Sequence, residues 1–353
     1  MDHRPQTTIR SARTHGLRRA WSILILLLAG SGSLWGAAPA LAGKGGGNVN
    51  IIRLGSPADV TPSLNGPSFF LDGSGAPTAA FFDDHIDQVA TAPLDIVVLA
   101  ASFASGNSSQ SAECEAIIAF SGSKVNSCET ITITKATGAN DSAATADIAK
   151  AEIVYFAGGD QCNYVGWKGS SVYNAVLDVA ARGGGVGGGS AGEAIQGEYI
   201  YDGCQGSATS SEALANPYDN SISFTYDFFH WPHLGQIFTD SHFVERNRMG
   251  RLMSFLARQI QDGKTSAAYG LGIDRGTAVL IDSHGHGQVY GNVAYVVLAD
   301  HQPEACAPGT ALTFSNYKIW KLPAGSTYNF ANRPTSGYYL RSVADGVVSG
   351  DPY

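Results

Sequence analysis

The chain has 353 residues, of which 44% are hydrophobic, and its formal net charge is −8. The hydrophobic content excludes a wholly disordered protein, and the 43 glycines follow no strict repeat, which excludes a collagen. The acidic charge argues against nucleic acid and anionic membranes as main partners, because both bind basic surfaces. The length fits one large α/β domain or two smaller ones.

The first 42 residues have the pattern of an export signal. Five arginines between residues 4 and 19 precede an uncharged stretch, 21–42, which ends in the small-x-small cleavage pattern Ala40-Leu41-Ala42. A retained membrane anchor is the alternative, but the strongly apolar part, 23–29, is short for a membrane span. We therefore predict a signal peptide over 1–42 and a secreted or periplasmic protein, which becomes more acidic once the arginines are removed.

The five cysteines all lie after the predicted signal, at Cys114, Cys128, Cys162, Cys204 and Cys306. In an exported protein one or two disulfides are expected, and the sequence alone leaves their pairing open. A Cys114–Cys128 bond is the first expectation, because this pair brackets a short predicted helix. The chain has no C-x-x-C spacing, so no structural zinc site is predicted, nor is any other metal or cofactor.

Strand and helix patterns alternate through the first half of the chain after the signal. The predicted strands are 50–54, 94–100, 129–133 and 153–157, and the predicted helices lie around 110–119, 141–150 and 169–182. Alternation of this kind is typical of a mostly parallel sheet with helices on both faces. The sequence therefore predicts a three-layer α/β domain.

Helical patterns become rare after residue 215, apart from one helix expected at roughly 248–262. The tail, 287–350, alternates apolar and polar residues between glycine turns, which predicts antiparallel strands added to the edge of the sheet. We accordingly divide the chain into the signal, an α/β domain over 43–300, and a β extension over 301–353 that packs on the same domain.

A glycine-rich segment, 183–189, leads into Gly188-x-Ser190-x-Gly192, the pattern of a nucleophile elbow. In such an elbow a serine sits on a tight turn from strand to helix, and the N–H of the next residue, here Ala191, points toward a developing oxyanion. The alternative is a glycine-rich turn with an ordinary helix-capping serine.

Two further segments carry polar groups that could complete a site. Gly158-Gly159 lies at the carboxyl end of a predicted strand, where ligand sites of parallel sheets collect, although it could equally be a turn that needs positive φ. His242 follows a short apolar strand and could serve as the base for a serine, or be structural. Arg248 and Arg251 would fall in the first turn of a helix, where cations oppose the helix dipole. That placement indicates either a bound carboxylate or a solvated basic face.

Together these segments resemble the cyanophycinase and aspartyl dipeptidase family of serine peptidases. A strand ending in Gly-Gly-Asp-Gln at residue 161, the elbow at Ser190, Asp-x-His-Phe-x-x-Arg-x-Arg-x-x-Arg over 240–251 and Gly-Leu-Gly-Ile-Asp over 270–274 occur in this order. The resemblance covers roughly 94–300. It implies a fold akin to class I glutamine amidotransferases.

The resemblance also implies roles for individual residues. Ser190 would be the nucleophile and His242 its base, with backbone N–H groups of Ala191 and of the Gly158-Gly159 turn as oxyanion donors. Family substrates are peptides or isopeptides of aspartate, such as those that release β-aspartyl-arginine. The residues implied to line the substrate pocket are Gln161, Asp240, Arg246, Arg248 and Arg251, together with Ser241, which replaces the glutamine of cyanophycin-degrading members.

The chain departs from the family at the residue that orients the histidine. The family has a glutamate directly after Gly-Ile-Asp, and here that position is Arg275. Asp274 and Glu193 are the candidates for the missing acid, and Glu193 could equally be favoured by the helix dipole alone. Arg275 would then bind a substrate carboxylate.

Three functions follow from these observations. The first is an exported serine peptidase acting on peptide substrates, with a homodimer possible. The second is a disabled relative that only binds acidic peptides, because Arg275 replaces the acid. The third is an α/β-hydrolase esterase that uses Ser190, Asp240 and either His284 or His286.

Two other histidine clusters are assigned no chemistry. The segment 282–286 is predicted to be a turn between strands rather than a metal site, because Gly285 separates its histidines. His230, Trp231 and His233 lie in an aromatic loop and are predicted to pack at the surface.

Overall fold

The computed structural model describes residues 41–43, 47–75, 78–106 and 108–353, which belong to one compact unit. The predicted signal peptide therefore lies outside the described residues, except for its last two positions. Those two residues belong to a short strand, β1, that pairs with the next strand of the chain. No helix in the described ranges is long and apolar enough to cross a membrane.

The first sheet has a parallel centre and antiparallel edges. Its strands, in spatial order, are β1 Leu41–Gly43, β2 Val49–Gly55, β5 Val125–Ile133, β4 Leu94–Ala100, β6 Ile153–Phe156, β7 Gly185–Gly189, β3 Ser68–Asp72, β12 Ala278–Ile281, β13 His286–Tyr290 and β16 Thr327–Asn329. The five strands from β5 to β3 run parallel to one another. Their carboxyl ends therefore meet at one edge, where ligand sites collect in such sheets.

A second sheet contains most of the strands from the second half of the chain. Its order is β18 Val347–Val348, β17 Tyr339–Ala344, β15 Phe314–Pro323, β14 Val293–Ala299, β11 Ala268–Ile273, β10 Ile237–Asp240, β8 Tyr199–Tyr201 and β9 Phe224–Tyr226. Only β8, β10 and β11 run parallel; the other pairs are antiparallel.

The helices cover both sheets. They are α1 Thr78–Val89, α2 Ala112–Ser121, α3 Ser142–Lys150, α4 Gln161–Val165, α5 Ser171–Ala181, α6 Ala191–Ala194, α7 Ser210–Ala215 and α8 Met249–Gln261, with short 3₁₀ segments at Gly122–Lys124 and Ala136–Asn140. Asp141 caps α3 by accepting the N–H groups of Ala143 and Ala144, because its carboxylate can reach amides that the first helical turn leaves unpaired.

The core is divided by the two-residue period of the strands. In β4, Val97 and Leu99 belong to the cluster that contains α3 and α5, whereas Ile96 and Val98 belong to the cluster that contains α1 and α2. Because successive side chains of a strand point to opposite faces, a strand that is apolar at every position is buried on both sides. The first sheet thus has helices on both faces, as its sequence pattern indicates.

The tail differs from the prediction that its strands extend the edge of one sheet. Only β13 and β16 do so; β14, β15, β17 and β18 belong to the second sheet. The physical reason is visible in β14, where Val296 packs in the core shared with the first sheet and Val297 packs in the core beneath α8. A strand that is apolar on both faces needs a layer on each side, and periodicity alone does not say which sheet supplies it.

Two disulfides cross-link the described chain. Cys114–Cys128, the expected pair, joins α2 to β5. Cys162–Cys204 joins α4 to the loop that follows β8. Cys306 is a buried free thiol.

Candidate active site

Ser190 occupies the turn between β7 and α6. Its φ of 53° and ψ of −111° lie outside the regions that residues with a side chain ordinarily adopt. Its backbone N–H donates to the carbonyl oxygen of Asp72 at 3.0 Å. A serine held in this way at the end of a parallel strand has the geometry of a nucleophile elbow.

The glycines around Ser190 are required by close backbone contacts. A methyl group on Gly188 would lie 2.4 Å from the carbonyl carbon and oxygen of Gly192. A methyl group on Gly192 would lie 2.0 Å from the carbonyl oxygen of Phe156 on β6. Neither position therefore has room for a Cβ, and the Gly-x-Ser-x-Gly spacing follows from packing of α6 against the sheet.

His242 comes from the second sheet, two residues after β10. Its Nε2 lies 2.9 Å from Oγ of Ser190. Its backbone has a φ of 46°, and its N–H donates to the carbonyl oxygen of Gly73 at 2.9 Å. The segment after β3 therefore supports both residues, since Asp72 holds Ser190 and Gly73 holds His242.

The carboxylate on the far side of the imidazole is Glu245. Its Oε2 lies 2.6 Å from Nδ1 of His242, and its Oε1 lies 3.0 Å from a terminal nitrogen of Arg275. Asp274 instead accepts the backbone N–H groups of Val244 and Glu245, both at 2.9 Å, with one carboxylate oxygen. Asp274 thus shapes the turn that presents Glu245.

Glu193, the other candidate for the acid, is fully buried, and neither carboxyl oxygen has a hydrogen-bond partner among the described residues. Burial raises the pKa of Glu193 well above its ordinary value of 4.5, and the neighbouring Asp240 and Asp72 raise it further. The neutral acid is therefore favoured. The structure places Glu245, rather than Glu193 or Asp274, against the imidazole.

The sequence did not single out Glu245, because the family resemblance places the acid at position 275, which is an arginine in this chain. The available signal was the spacing His242-x-x-Glu245, which lets a side chain fold back in a tight turn. The positive φ values of His242 and of Asn247, 50°, form that turn and are not visible in the sequence.

Burial lowers the pKa of the His242 imidazole below its ordinary value of 6.5, and Arg246 and Arg248 lower it further, while the hydrogen bond with Glu245 opposes them. The hydrogen bond with His242 in turn lowers the pKa of Glu245. The imidazole is therefore neutral at neutral pH, and with Nδ1–H donating to Glu245, Nε2 is left to accept the Ser190 hydroxyl proton.

This pKa shift predicts the pH dependence of serine reactivity. A general base works in its neutral form, so a lowered pKa places the loss of reactivity on the acid side of pH 6.5, with a plateau above it. The rate at which a fluorophosphonate labels Ser190, measured from pH 4 to 9, reports this without any need for a substrate. An inflection well above pH 7 would contradict the assignment of His242 as the base.

A cavity of about 290 Å³ opens beside Ser190. Both sheets contribute to it, together with the loop after β8. Its lining consists of Gly159, Asp160, Gln161, Ser190, Ala191, Ala194, Tyr201, Gly203, Gly206, Ser207, Thr239, Asp240, Ser241, Arg246, Arg248 and Arg251. All six residues that the resemblance places in the pocket are in this list, whereas Arg275 is not.

The residues expected to supply the oxyanion donors lie close to Ser190. A methyl group on Gly158 would lie 3.5 Å from Cβ of Ser190. Gly159 has a φ of 146°, which a residue with a side chain rarely adopts, and both Gly159 and Ala191 line the cavity. The turn after β6 and the first residue of α6 thus lie on either side of the space next to Ser190.

The arginines of the pocket differ in their roles. Arg251 is buried and binds both carboxylate oxygens of Asp240, at 2.8 and 2.5 Å, and it also donates to the carbonyl oxygen of Ala208. Arg248 donates to the carbonyl oxygen of Ser241 at 2.8 Å and lies 3.3 Å from Asp240. The carboxylate that justifies cations at this helix start is therefore Asp240 of the chain itself.

Arg246 is the exposed cation of the pocket. Within the described ranges its guanidinium has no hydrogen-bond or ion-pair partner, in contrast to the guanidinium groups of Arg248 and Arg251. The helix itself begins at Met249, so Arg248 occupies the cap position directly before it and Arg251 lies in its first turn.

The remaining histidines lie outside this pocket. Asp282 accepts the backbone N–H groups of His284 and His286, at 2.9 and 2.8 Å, which forms the predicted turn between β12 and β13. The predicted surface packing of Trp231 is wrong: this side chain is buried and stacks on Phe229. Its indole nitrogen needs a partner there, which Gln196 supplies at 3.0 Å.

One group of potential metal ligands lies in that aromatic loop. Ligand atoms of Glu198, Asp227 and His230 lie within 4.8 Å of one another. The aspartate and the histidine are exposed, and exposed acidic groups often cluster without an ion.

Comparison with known proteins identifies the fold. No family model matches the chain, and no curated protein matches it significantly in sequence. A crystal structure of a peptidase from an acI-B1 Actinobacterium matches with a TM-score of 0.52 and 17% identity, over 76% of this chain and 98% of the other. A candidate peptidase E protein from Listeria monocytogenes EGD-e matches with a TM-score of 0.38 and 14% identity, over 64% and 98% of the two chains. The described chain therefore shares its fold with the actinobacterial peptidase.

Proposed function

We propose that this protein is a serine peptidase. The observation that carries the proposal is the chain of contacts from Ser190 Oγ to His242 Nε2, at 2.9 Å, and from His242 Nδ1 to Glu245, at 2.6 Å. Nucleophile, base and orienting acid in hydrogen-bond contact are the arrangement that acyl transfer through a serine requires. The likeness in fold to a solved peptidase supports the same reaction class.

The proposed reaction has two half-reactions. Ser190 Oγ attacks the substrate carbonyl carbon while its proton passes to His242 Nε2, and the resulting oxyanion accepts backbone N–H groups of Ala191 and of the Gly158-Gly159 turn. The C–N bond then breaks, and His242 gives the proton to the leaving amine. Water attacks the acyl ester in the same way, which releases the acid and restores the serine.

The substrate class that we propose is a peptide or isopeptide of aspartate. Arg246 supports it, because a guanidinium that has no partner among the described residues and lines the same cavity as Ser190 suits a substrate carboxylate. Gln161 adds a side-chain amide to the lining of the same cavity. The resemblance to the cyanophycinase and aspartyl dipeptidase family points to the same chemistry, with β-aspartyl-arginine peptides as the first substrates to test.

Two alternatives have less support. The hypothesis of a disabled relative depends on Arg275 standing in the place of an acid. Glu245, however, provides a carboxylate at Nδ1 of His242, and Arg275 contacts that carboxylate. The esterase requires His284 or His286 near Ser190, but His284 lies in the turn after β12, His286 begins β13, and neither lines the cavity beside Ser190. Export and a homodimer remain proposals; the two disulfides support export, because such bonds persist in oxidising compartments.

The function is tested by labelling and turnover together. Protein from residue 43 onward is incubated with a fluorophosphonate probe and assayed on β-aspartyl-arginine, on other β-aspartyl dipeptides and on α-linked dipeptides. We expect labelling at Ser190 and release of free aspartate from at least the β-linked peptides. Absence of labelling would reject the serine peptidase, whereas labelling without aspartate release would reject only the substrate class.

Substitution of Arg246 separates substrate binding from folding. Arg246→Ala is expected to raise KM for aspartyl peptides about 10- to 100-fold, the loss of one hydrogen bond to a charged group, with little change in thermal stability because the side chain is exposed. Arg251→Ala is the matched control: it leaves the buried Asp240 with only the longer contact to Arg248, at 3.3 Å, and is expected to lower the free energy of unfolding by about 3 kcal/mol. An unchanged KM in Arg246→Ala would contradict the pocket assignment.

A further inference from the structure

The Cys162–Cys204 disulfide lies at the wall of the substrate pocket. Cys162 directly follows Gln161, and Cys204 directly follows Gly203, and both of these neighbours line the cavity beside Ser190. Gly206 lines it from the same loop as Cys204. The bond therefore fixes two lining segments relative to each other.

These two segments come from different sheets. Cys162 lies in α4, which follows β6 of the first sheet and its Gly158-Gly159 turn, whereas Cys204 lies in the loop after β8 of the second sheet. Apart from the disulfide, the described residues show one hydrogen bond between these parts of the chain, from Nε2 of Gln161 to the carbonyl oxygen of Tyr201 at the end of β8, at 3.3 Å. The covalent bond is thus the strongest link across this side of the pocket.

The loop is rigid at its base and exposed at its tip. Asp202 is buried; it accepts the N–H of Cys204 at 3.0 Å and the hydroxyl of Thr225 at 2.9 Å. Residues 204–207, by contrast, are exposed. At the tip, the carbonyl oxygen of Gly206 accepts the Tyr201 hydroxyl at 2.9 Å, and the N–H of Gly206 donates to the carbonyl oxygen of Gly203 at 3.1 Å. Exposed segments held by so few bonds open at low free-energy cost, so the cross-link is the covalent restraint that adds to these hydrogen bonds.

Access to the two disulfides differs. Cys204 is exposed and Cys162 is half-buried, whereas Cys114 and Cys128 are both fully buried. Thiol–disulfide exchange requires a thiolate to reach a sulfur atom, so a reductant in solution attacks Cys162–Cys204 first. One wall of the pocket is therefore held by a bond that can be broken while the core disulfide stays intact.

We propose that the Cys162–Cys204 disulfide holds the substrate pocket in its binding shape, so that affinity for the substrate depends on the redox state of this one bond. The inference rests on the proposed function of the pocket. The backbones of Ser190 and His242 are held by Asp72 and Gly73, which belong to neither of the cross-linked segments, so we expect reduction to alter binding and to leave the reactivity of the serine unchanged.

Reduction by dithiothreitol gives the test. One thiolate of the reagent attacks a sulfur of the protein disulfide, the second closes the ring of the oxidised reagent, and two cysteine thiols form as two electrons are transferred. Alkylation and mass spectrometry identify the protein in which Cys162 and Cys204 alone are reduced. We expect KM for β-aspartyl-arginine to rise about tenfold, since a misplaced positioning group weakens binding, with the fluorophosphonate labelling rate unchanged.

The Cys162→Ser, Cys204→Ser double variant provides the control. It should have the raised KM without reductant and show no further change when reductant is added. An unchanged KM in protein whose Cys162–Cys204 bond is completely reduced would overturn the proposal. A fall of about tenfold in the rate of fluorophosphonate labelling on reduction would also overturn it, because the bond would then support the whole fold rather than the pocket.

Hydrogen exchange distinguishes failure of this inference from failure of the proposed function. Exchange of amides in 203–207 should quicken on reduction, while exchange in 188–194 should not, and neither measurement needs a substrate. Unchanged exchange in 203–207 would reject the proposed role of the Cys162–Cys204 disulfide even if the protein is a peptidase. Faster exchange with no turnover of any aspartyl peptide would reject the substrate class and leave the mechanical role of the bond.

Discussion

A Ser190→Ala protein is expected to lose activity by on the order of 10⁶-fold in kcat, with KM changed little. The loss follows from geometry: the only hydroxyl that the described structure places within 2.9 Å of His242 Nε2 is that of Ser190. The substitution removes the proposed nucleophile, so water would have to attack the substrate carbonyl directly, without formation of an acyl-enzyme.

The partner substitution provides the internal control. His242→Ala should cost about as much as Ser190→Ala, and the double variant should be no worse than either, because the two groups act as one unit. Circular dichroism and thermal unfolding show whether each variant folds. Additive losses in the double variant, or turnover that survives in Ser190→Ala, would contradict the proposed pair.

The second large effect is expected from Glu245→Gln, which should lower kcat between about 10² and 10⁴-fold. A neutral amide can present either its oxygen or its NH₂ group to Nδ1, so the imidazole tautomer is no longer fixed. The effect should stay below that seen for a fully enclosed acid, because the side chain of Glu245 is 33% exposed and solvent can compete for the imidazole.

Matched substitutions test whether Glu245 alone orients the imidazole. Glu193→Gln replaces a buried acid whose raised pKa already favours the neutral form, so kcat should stay within a few-fold of the parent protein, about the scatter of ordinary near-neutral changes. If Glu193→Gln were instead as damaging as Glu245→Gln, the acid would have to be reassigned. Both variants are measured by steady-state kinetics on the same peptide.

The contact between Glu245 and Arg275 gives a physical reading of the departure from the family. The resemblance places a glutamate at position 275, and this chain has an arginine there and an acid at 245 that reaches the same imidazole nitrogen. Because the Arg275 side chain is 62% exposed, its ion pair with Glu245 contributes little to stability. Its value lies in restricting the rotamers of Glu245.

The motifs singled out Ser190 and His242, which the structure brings within 2.9 Å of each other, because each motif is tied to local chain geometry. Gly188-x-Ser190-x-Gly192 has no room for other side chains, and His242 follows a strand whose apolar pattern is easy to recognise. The acid was not predictable in the same way. Glu245 reaches the imidazole only through a turn with positive φ, and no residue type in 242–247 requires such a turn.

The fold shows the same division. The alternation of strands and helices predicted the first sheet and its helices on both faces, because a two-residue period reports burial directly. The second sheet was not predicted, since β11 and β14 are apolar on both faces and their sequences do not say what covers them. Likewise, the placement of Arg248 and Arg251 left open a bound carboxylate or a solvated basic face, and the structure shows that both arginines contact the carboxylate of Asp240.

The shared support of Ser190 and His242 has a mechanical consequence. The two residues follow strands of separate sheets, yet their backbone N–H groups donate to adjacent carbonyl groups, those of Asp72 and Gly73. If a thermal fluctuation separates the two sheets slightly, Ser190 and His242 should stay together as long as their hydrogen bonds to Asp72 and Gly73 persist. Heat inactivation should therefore coincide with global melting instead of preceding it.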